Sequence, residues 1–260
     1  MNGGHNMFRS VLLLGLMLSF AVPVAAQRRR GGRNRAPSDY KSYNVPYSGA
    51  FTFVRIRYTE EMWGYRPNPG WFHDYPTAER NFVKIVDELT GIEIDPNGSN
   101  ILMFDDPEVF NYPIAYLSEP GFWMMSDAEA EGMRNYLLKG GFLIVDDFRE
   151  YREWSVFEDR VRKALPEAQL VRLDAEHPIF DSFFHIGTLD NFQNPNFYVR
   201  PEFYGVHEDN DPDKRLLMIV NFNNDIGDYW EWSDSGWVPI EFSNEAYKLG
   251  VNYLMYAMLR

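Results

Sequence analysis

The sequence contains no cysteine among its 260 residues. This absence excludes disulfide bonds, thiolate metal sites, iron–sulfur clusters and a cysteine nucleophile. The chain also lacks the GxxxxGKS/T and GxGxxG loops that hold phosphate groups, the HExxH motif of metalloproteases and the GxSxG turn of esterases. The sequence therefore carries none of the familiar signatures of nucleotide-binding, metalloprotease or esterase chemistry.

Basic residues are scarce, with 25 Lys and Arg against 38 Asp and Glu and a net charge of -13. Six of the 25 are arginines within residues 1–35, which contain no acidic residue. The remainder of the chain has 19 basic residues against 38 acidic ones, a net charge near -19. Such a domain repels phosphate backbones, so we expect no nucleic-acid partner. The charge favours cations or cationic surfaces, although solubility alone also accounts for it.

A short apolar segment near the N-terminus predicts export. Arg9 precedes the run VLLLGLMLSF at 11–20, and Val24 and Ala26 supply the small residues of a cleavage site. The run is too short to span a membrane comfortably. We predict a signal peptide at 1–26 and a periplasmic or extracellular location.

The segment RRRGGRNR follows at once, and positive charge just after an apolar segment resists translocation. An uncleaved anchor therefore remains the alternative. The arginines show no periodic pattern, which predicts a disordered arginine-rich linker at 27–46 before a domain at 47–260. Membrane association is expected only through the N-terminal segment and this linker.

The body alternates short apolar strands with amphipathic helices. Strands are predicted at 51–58, 101–104, 114–117, 142–145, 169–173, 203–206 and 216–222. Helices are predicted at about 78–90 with Thr77 as cap, from Ser126, from Ser155 to about Leu165, and from Ser243. This order predicts an α/β fold with three layers, in which a mostly parallel sheet has helices on both faces.

Four segments carry a family resemblance: RIRY in the first strand, then YLLKGGFLIVDDF, EHPIF and KLGVNYLMYAM. In this order the chain resembles the bacterial family called domain of unknown function 4159 over about 51–260. The resemblance implies a class I glutamine amidotransferase-like, flavodoxin-like fold and an envelope setting, but no particular activity. Amidotransferase chemistry needs a cysteine nucleophile, so this chain cannot perform it.

In open α/β sheets ligands bind beyond the carboxyl ends of the strands. This rule selects Arg55, Arg57, Asp146, Asp147, Arg149, Asn223, Asn224, Asp225 and Asp228. Two converging aspartates would repel each other and form an acid/base pair with separated pKa values. Alternatively, Asp146 and Asp147 cap backbone amides and pair with arginine.

Other candidates lie in loops. His177 precedes Pro178 in a turn, where its imidazole would act as a base or simply bond the backbone. Trp63 and Trp230 belong to aromatic-rich loops that would grip a sugar or peptide, or fold back over the core. The other histidines, including His73 and His207, lack metal-ligand spacing, so we predict no metal and no cofactor.

Two functional hypotheses remain open. The first is a non-catalytic envelope module that binds a protein or glycan through Arg55, Arg57, Trp63, Arg149, Asp225 and Trp230, with Asp147 beside them. The second is a hydrolase acting on a carbohydrate or envelope polymer, with catalytic candidates Asp146, Asp147 and His177.

Overall fold

The computed structural model describes residue 36 and residues 39–60, 68–192 and 199–259, apart from the side chains of 96–98. The predicted signal peptide, most of the predicted linker and Trp63 lie outside the described residues. Within the described part of the chain, no helix is both long and apolar enough to cross a membrane.

The described residues form one seven-stranded sheet in the order β2-β1-β3-β4-β7-β6-β5. The five strands from β2 to β7 in this order are parallel, whereas β6 is antiparallel to both β7 and β5. The strands are β1 Phe51–Ile56, β2 Ile94–Leu102, β3 Ile114–Ser118, β4 Phe142–Phe148, β5 Val171–Arg172, β6 Glu202–His207 and β7 Leu216–Phe222.

Helices cover both faces of the sheet, so the predicted three-layer, mostly parallel α/β class is confirmed. The helices are α1 Thr77–Leu89, α2 Asp127–Leu138, α3 Glu150–Ala164, α4 Ile226–Glu231 and α5 Ile240–Leu259. On one face, α2 and α3 pack residues such as Met133 and Phe157 against the sheet. On the other, α1, α4 and α5 contribute residues such as Phe82, Trp230 and Leu249.

Local sequence explains the central elements. All seven residues of β4 are buried, as the continuous apolar run FLIV predicts for a parallel strand covered on both faces. The predicted capping box of α2 is present, because the Ser126 side chain accepts from the Glu129 N–H while Glu129 accepts from the Ser126 N–H. Along β1, Val54 and Ile56 face one core and Phe53 the other, as the alternation predicts.

Several predicted boundaries were wrong. Strand β2 begins at Ile94 instead of Ile101, and Thr77 is the first residue of α1 rather than its cap. Helix α3 begins at Glu150, because the Glu153 carboxylate accepts the Arg149 N–H at 2.6 Å and satisfies the helix start five residues before Ser155. Helix α5 begins at Ile240, so Ser243 lies buried inside it. Strand β5 has only two residues instead of the predicted five, and α4 was not predicted.

Candidate functional site

Three neighbouring strands end in residues with a left-handed backbone. Glu119 follows β3 with φ 48°, Asp147 lies near the end of β4 with φ 55°, and Asn223 follows β7 with φ 57°. Non-glycine residues are uncommon in this region, which is most often occupied at turns and functional sites. The turns bring acidic side chains together at the carboxyl ends of the strands.

Arg149 links two of these strand ends. Its Nη2 lies 2.9 Å from Asp147 Oδ1 and 3.2 Å from Asp225 Oδ2. Asp225 also caps α4, because its Oδ1 accepts the Asp228 N–H at 2.9 Å. The guanidinium therefore joins β4 to the start of α4.

His73 completes the ion-pair network from the loop before α1. Its Nδ1 lies 2.8 Å from Glu119 Oε1 and 3.3 Å from Asp147 Oδ2, while 59% of the side chain is exposed. The hydrogen bonds to Asp147 and Glu119 raise the pKa of His73 to about 11. The imidazole is therefore a cation at neutral pH.

Asp74 is buried beside this network with a left-handed φ of 63°. One of its carboxylate oxygens lies within 4.8 Å of an oxygen of Asp147 and of an oxygen of Asp225. Asp74 also has an oxygen within 4.8 Å of an oxygen of Asp228 and of an oxygen of Glu231. Burial, together with the charges of Asp228 and Asp147, holds the pKa of Asp74 well above its ordinary value. We call the six carboxylates of this region the acidic rim: Asp74, Glu119, Asp147, Asp225, Asp228 and Glu231.

Charge repulsion shapes the protonation of the rim. Burial would raise the pKa of Asp147, but the hydrogen bond from His73 and the charge of Arg149 lower it below its ordinary value. The pKa of Asp225 lies well above its ordinary value because of burial and the charge of Asp147. Burial and neighbouring carboxylates raise the pKa values of Asp228 and Glu231 in the same direction.

Asp146 is fully buried and contacts the start of α4. Its Oδ2 accepts hydrogen bonds from the Tyr116 hydroxyl at 2.7 Å and from the N–H groups of Ile226 and Gly227 at 2.9 and 3.0 Å. Burial raises the pKa of Asp146 to about 6. Asp146 thus anchors the N-terminus of α4, as the capping alternative predicts.

The side chain of Arg55 positions the loop that lies beside the acidic rim. The side chain is fully buried, its Nε pairs with Glu79, and its Nη1 donates to the carbonyls of Trp71 at 3.0 Å and His73 at 2.8 Å. The guanidinium also lies 4.9 Å from the centre of the Tyr116 ring. Arg55 therefore fixes the loop that carries His73 and Asp74.

The structure places the remaining candidates elsewhere. Arg57 lies 4.2 Å from the centre of the Tyr40 ring, and Trp230 is a core residue stacked on Phe82 at 4.5 Å. The Nε2 of His177 lies 3.2 Å from that of His207, which ends β6 at the opposite end of the sheet from the rim. The structure thus brings four of the candidates together: Asp147, Arg149, Asp225 and Asp228.

The predicted site omits three carboxylates of the acidic rim and the histidine that pairs with it: Asp74, Glu119, Glu231 and His73. Glu119 follows β3 as directly as Asp147 ends β4, so the rule of strand ends applied to residues 114–117 would have found it. His73 and Asp74 lie in a loop that Arg55 positions through space. No spacing pattern in the sequence predicts the contact between Arg55 and the His73 carbonyl.

These features define a three-layer α/β domain with an acidic rim at the carboxyl ends of its strands. Residues 52–258 match the family model described as Domain of unknown function (DUF4159), and the chain belongs to that family. No curated protein matches the chain. The predicted family is therefore confirmed. The more specific assignment to the class I glutamine amidotransferase-like fold stays a prediction.

Proposed function

We propose that this chain is an exported, non-catalytic envelope domain that binds a positively charged group of its protein or glycan ligand at the acidic rim. The observation that supports this proposal is the excess of acidic over basic side chains at the rim. The rim has six carboxylates, and among the described residues the cations Arg149 and His73 pair with three of them: Glu119, Asp147 and Asp225. Arg55 is already paired with Glu79.

The imbalance favours a cation energetically. A unit positive charge 4 Å from a carboxylate gains about 4 kcal/mol at an effective dielectric constant of 20. Asp228 and Glu231 are half-buried and lie on α4, so they are open to a ligand in solution. Phosphate and other anions would be repelled by the same field.

A peptide-binding assay tests this proposal. At 150 mM salt, where distant surface charges are screened, we expect an immobilised oligolysine peptide to bind the chain and an oligoglutamate peptide not to bind. The double variant Asp228→Asn/Glu231→Gln should bind oligolysine at least tenfold more weakly. No preference for oligolysine over oligoglutamate would contradict the proposal.

A matched control separates the rim from overall charge. The variant Asp213→Asn/Glu167→Gln removes the same charges from exposed positions near the β6–β7 turn, at the opposite end of the sheet. Its affinity for oligolysine should equal that of the unmodified chain. An equal loss in both double variants would show that net charge, not the rim, binds the peptide.

The export part of the proposal is supported by the apolar run at 11–20 and the small residues before Gln27. Cell fractionation should recover the chain outside the cytoplasm. N-terminal sequencing of that material should begin at Gln27. Recovery of a chain that keeps its N-terminal segment in the membrane would favour the uncleaved anchor.

One observation favours a second candidate function, a hydrolase acting on a carbohydrate or envelope polymer. Asp147 and Asp225 share Arg149, and their pKa values move in opposite directions, which is the pattern of a base and an acid. Release of soluble fragments from dye-labelled peptidoglycan would reveal such activity. Asp225→Asn, which still caps α4, should then abolish release while binding persists.

A further inference from the structure

The outer end of the acidic rim contains a compact group of three carboxylates. One oxygen each from Asp74, Asp228 and Glu231 lies within 4.8 Å of the other two. Asp228 and Glu231 are three residues apart on α4, so they lie on the same side of that helix. Asp74 faces them from the loop before α1.

Asp74 has a buried oxygen without a partner. Asp74 is only 8% exposed, and among the described residues no hydrogen-bond donor reaches its Oδ2. A buried acceptor without a partner carries a desolvation cost of about 1–3 kcal/mol, and more when charged. A ligand that supplies positive charge would offset it.

The backbone makes room for this carboxylate. A Cβ placed on Gly227 would lie 2.6 Å from Asp74 Oδ2 and 2.8 Å from the Tyr116 hydroxyl. Only glycine at position 227 therefore lets the Asp74 carboxylate approach α4 so closely.

Among the described residues, the three carboxylates lack the ion pair that their neighbours have. Arg149 already pairs with Asp147 and Asp225, whereas no described lysine or arginine forms an ion pair with Asp74, Asp228 or Glu231. Asp228 accepts a hydrogen bond from the Trp232 Nε1 at 3.3 Å, which is a neutral donor. His73 and Arg55 therefore attract these carboxylates without forming an ion pair with them.

We propose that Asp74, Asp228 and Glu231 bind one hard divalent cation of the Ca²⁺ type, with water as its remaining ligands. Ca²⁺ bonds oxygen at about 2.3–2.6 Å, so two oxygens on opposite sides of the ion are about 5 Å apart, which accommodates the observed spacing. All three ligands are oxygen, the preference of Ca²⁺ rather than of Zn²⁺. The inference deepens the proposed function and rests on it, because the ion is a positively charged group taken at the same rim.

Calorimetric titration of the full chain tests the site. After dialysis against EDTA, CaCl₂ should bind with one ion per chain, and NaCl at equal ionic strength should not compete. Glu231→Gln, at a half-buried position, and Asp74→Asn, which keeps the left-handed backbone, should each weaken the affinity for Ca²⁺ at least tenfold. Asp213→Asn/Glu167→Gln should bind Ca²⁺ unchanged.

Two further variants sharpen the outcome. Gly227→Ala retains all three ligands but displaces the Asp74 carboxylate, so it should also lose Ca²⁺ affinity, with circular dichroism confirming the fold. Asp225→Asn removes a neighbouring charge but no proposed ligand, so it should weaken the affinity for Ca²⁺ less than Glu231→Gln does. Loss of binding in Asp225→Asn without loss in Glu231→Gln would overturn the inference, because the ion would then lie between Asp74, Asp147 and Asp225.

Failure of this inference is distinguishable from failure of the proposed function. A chain that binds neither Ca²⁺ nor Mg²⁺ overturns the ion site. If that chain still prefers oligolysine to oligoglutamate, the cation-binding rim stands. If it binds none of these probes, both proposals fall.

Discussion

The stability of the folded chain should depend on pH through Asp146, and the size of this effect can be worked out. Burial raises the pKa of Asp146 from 3.8 to about 6 in the folded state. One pKa unit corresponds to 1.36 kcal/mol, so the difference amounts to about 3 kcal/mol. Full burial of the side chain means that solvent screening does not reduce this figure appreciably.

The direction follows from which state holds the proton more tightly. A pKa that is higher in the folded state gives a stabilisation that is complete below about pH 4, the pKa of the unfolded chain. This stabilisation is lost as the pH rises through 6. The contribution of Asp146 to the free energy of unfolding should therefore fall by about 2–3 kcal/mol between pH 4 and pH 7.

Urea unfolding of the unmodified chain and of Asp146→Asn, in buffer with EDTA, measures this contribution. Asparagine retains an oxygen acceptor for the N–H groups at the start of α4 but cannot titrate. The stability difference between the two proteins should change by about 2–3 kcal/mol from pH 4 to pH 7, in favour of the variant at the higher pH. A difference that stays constant over this range would refute the reasoning.

Three further substitutions test the packing and the ion pairs. Trp230→Ala should lower the free energy of unfolding by about 3–5 kcal/mol in urea titrations, because the ring fills the core, and an unchanged midpoint would place the ring at the surface. Gly132→Ala should lower the melting temperature, because its Cβ would lie 1.9 Å from the Phe104 carbonyl oxygen, whereas Gly91→Ala, with open space around it, should not. Arg149→Met should destabilise the chain by about 1–3 kcal/mol at pH 7 and less at pH 4, where its partner Asp225, whose pKa lies above the ordinary value, becomes protonated; equal losses at both pH values would contradict this.

The sequence was most informative where one local signal dominates. The alternation in β1 predicts which residues face each core, and the run before Asp146 predicts a covered parallel strand. The capping box at Ser126 predicts the start of α2, because both of its hydrogen bonds join residues three apart. Such contacts are encoded within a few residues.

Contacts across the fold could not be predicted in this way. Helix α4 has six residues, too few for an apolar period to be recognised, and Asp225 caps it at the end of a strand. Ser155 and Glu158 match the pattern of a capping box, yet the carboxylate of Glu153 satisfies the helix start earlier. The position of His73 depends on a strand residue 18 positions away, so it becomes evident only in three dimensions.

Binding at the acidic rim should depend on Arg55, although this buried residue would not contact a ligand. Its Nη1 holds two carbonyls of the loop that carries His73 and Asp74, while its Nε is tied to Glu79 on α1. A lysine ammonium at this position would offer its donors from a single atom, which could not bond Glu79 and both carbonyls from the separate positions of Nε and Nη1. Evolutionary selection for binding at the rim would therefore also act on Arg55, a fully buried residue of β1. A comparison of exposed residues alone would miss this dependence.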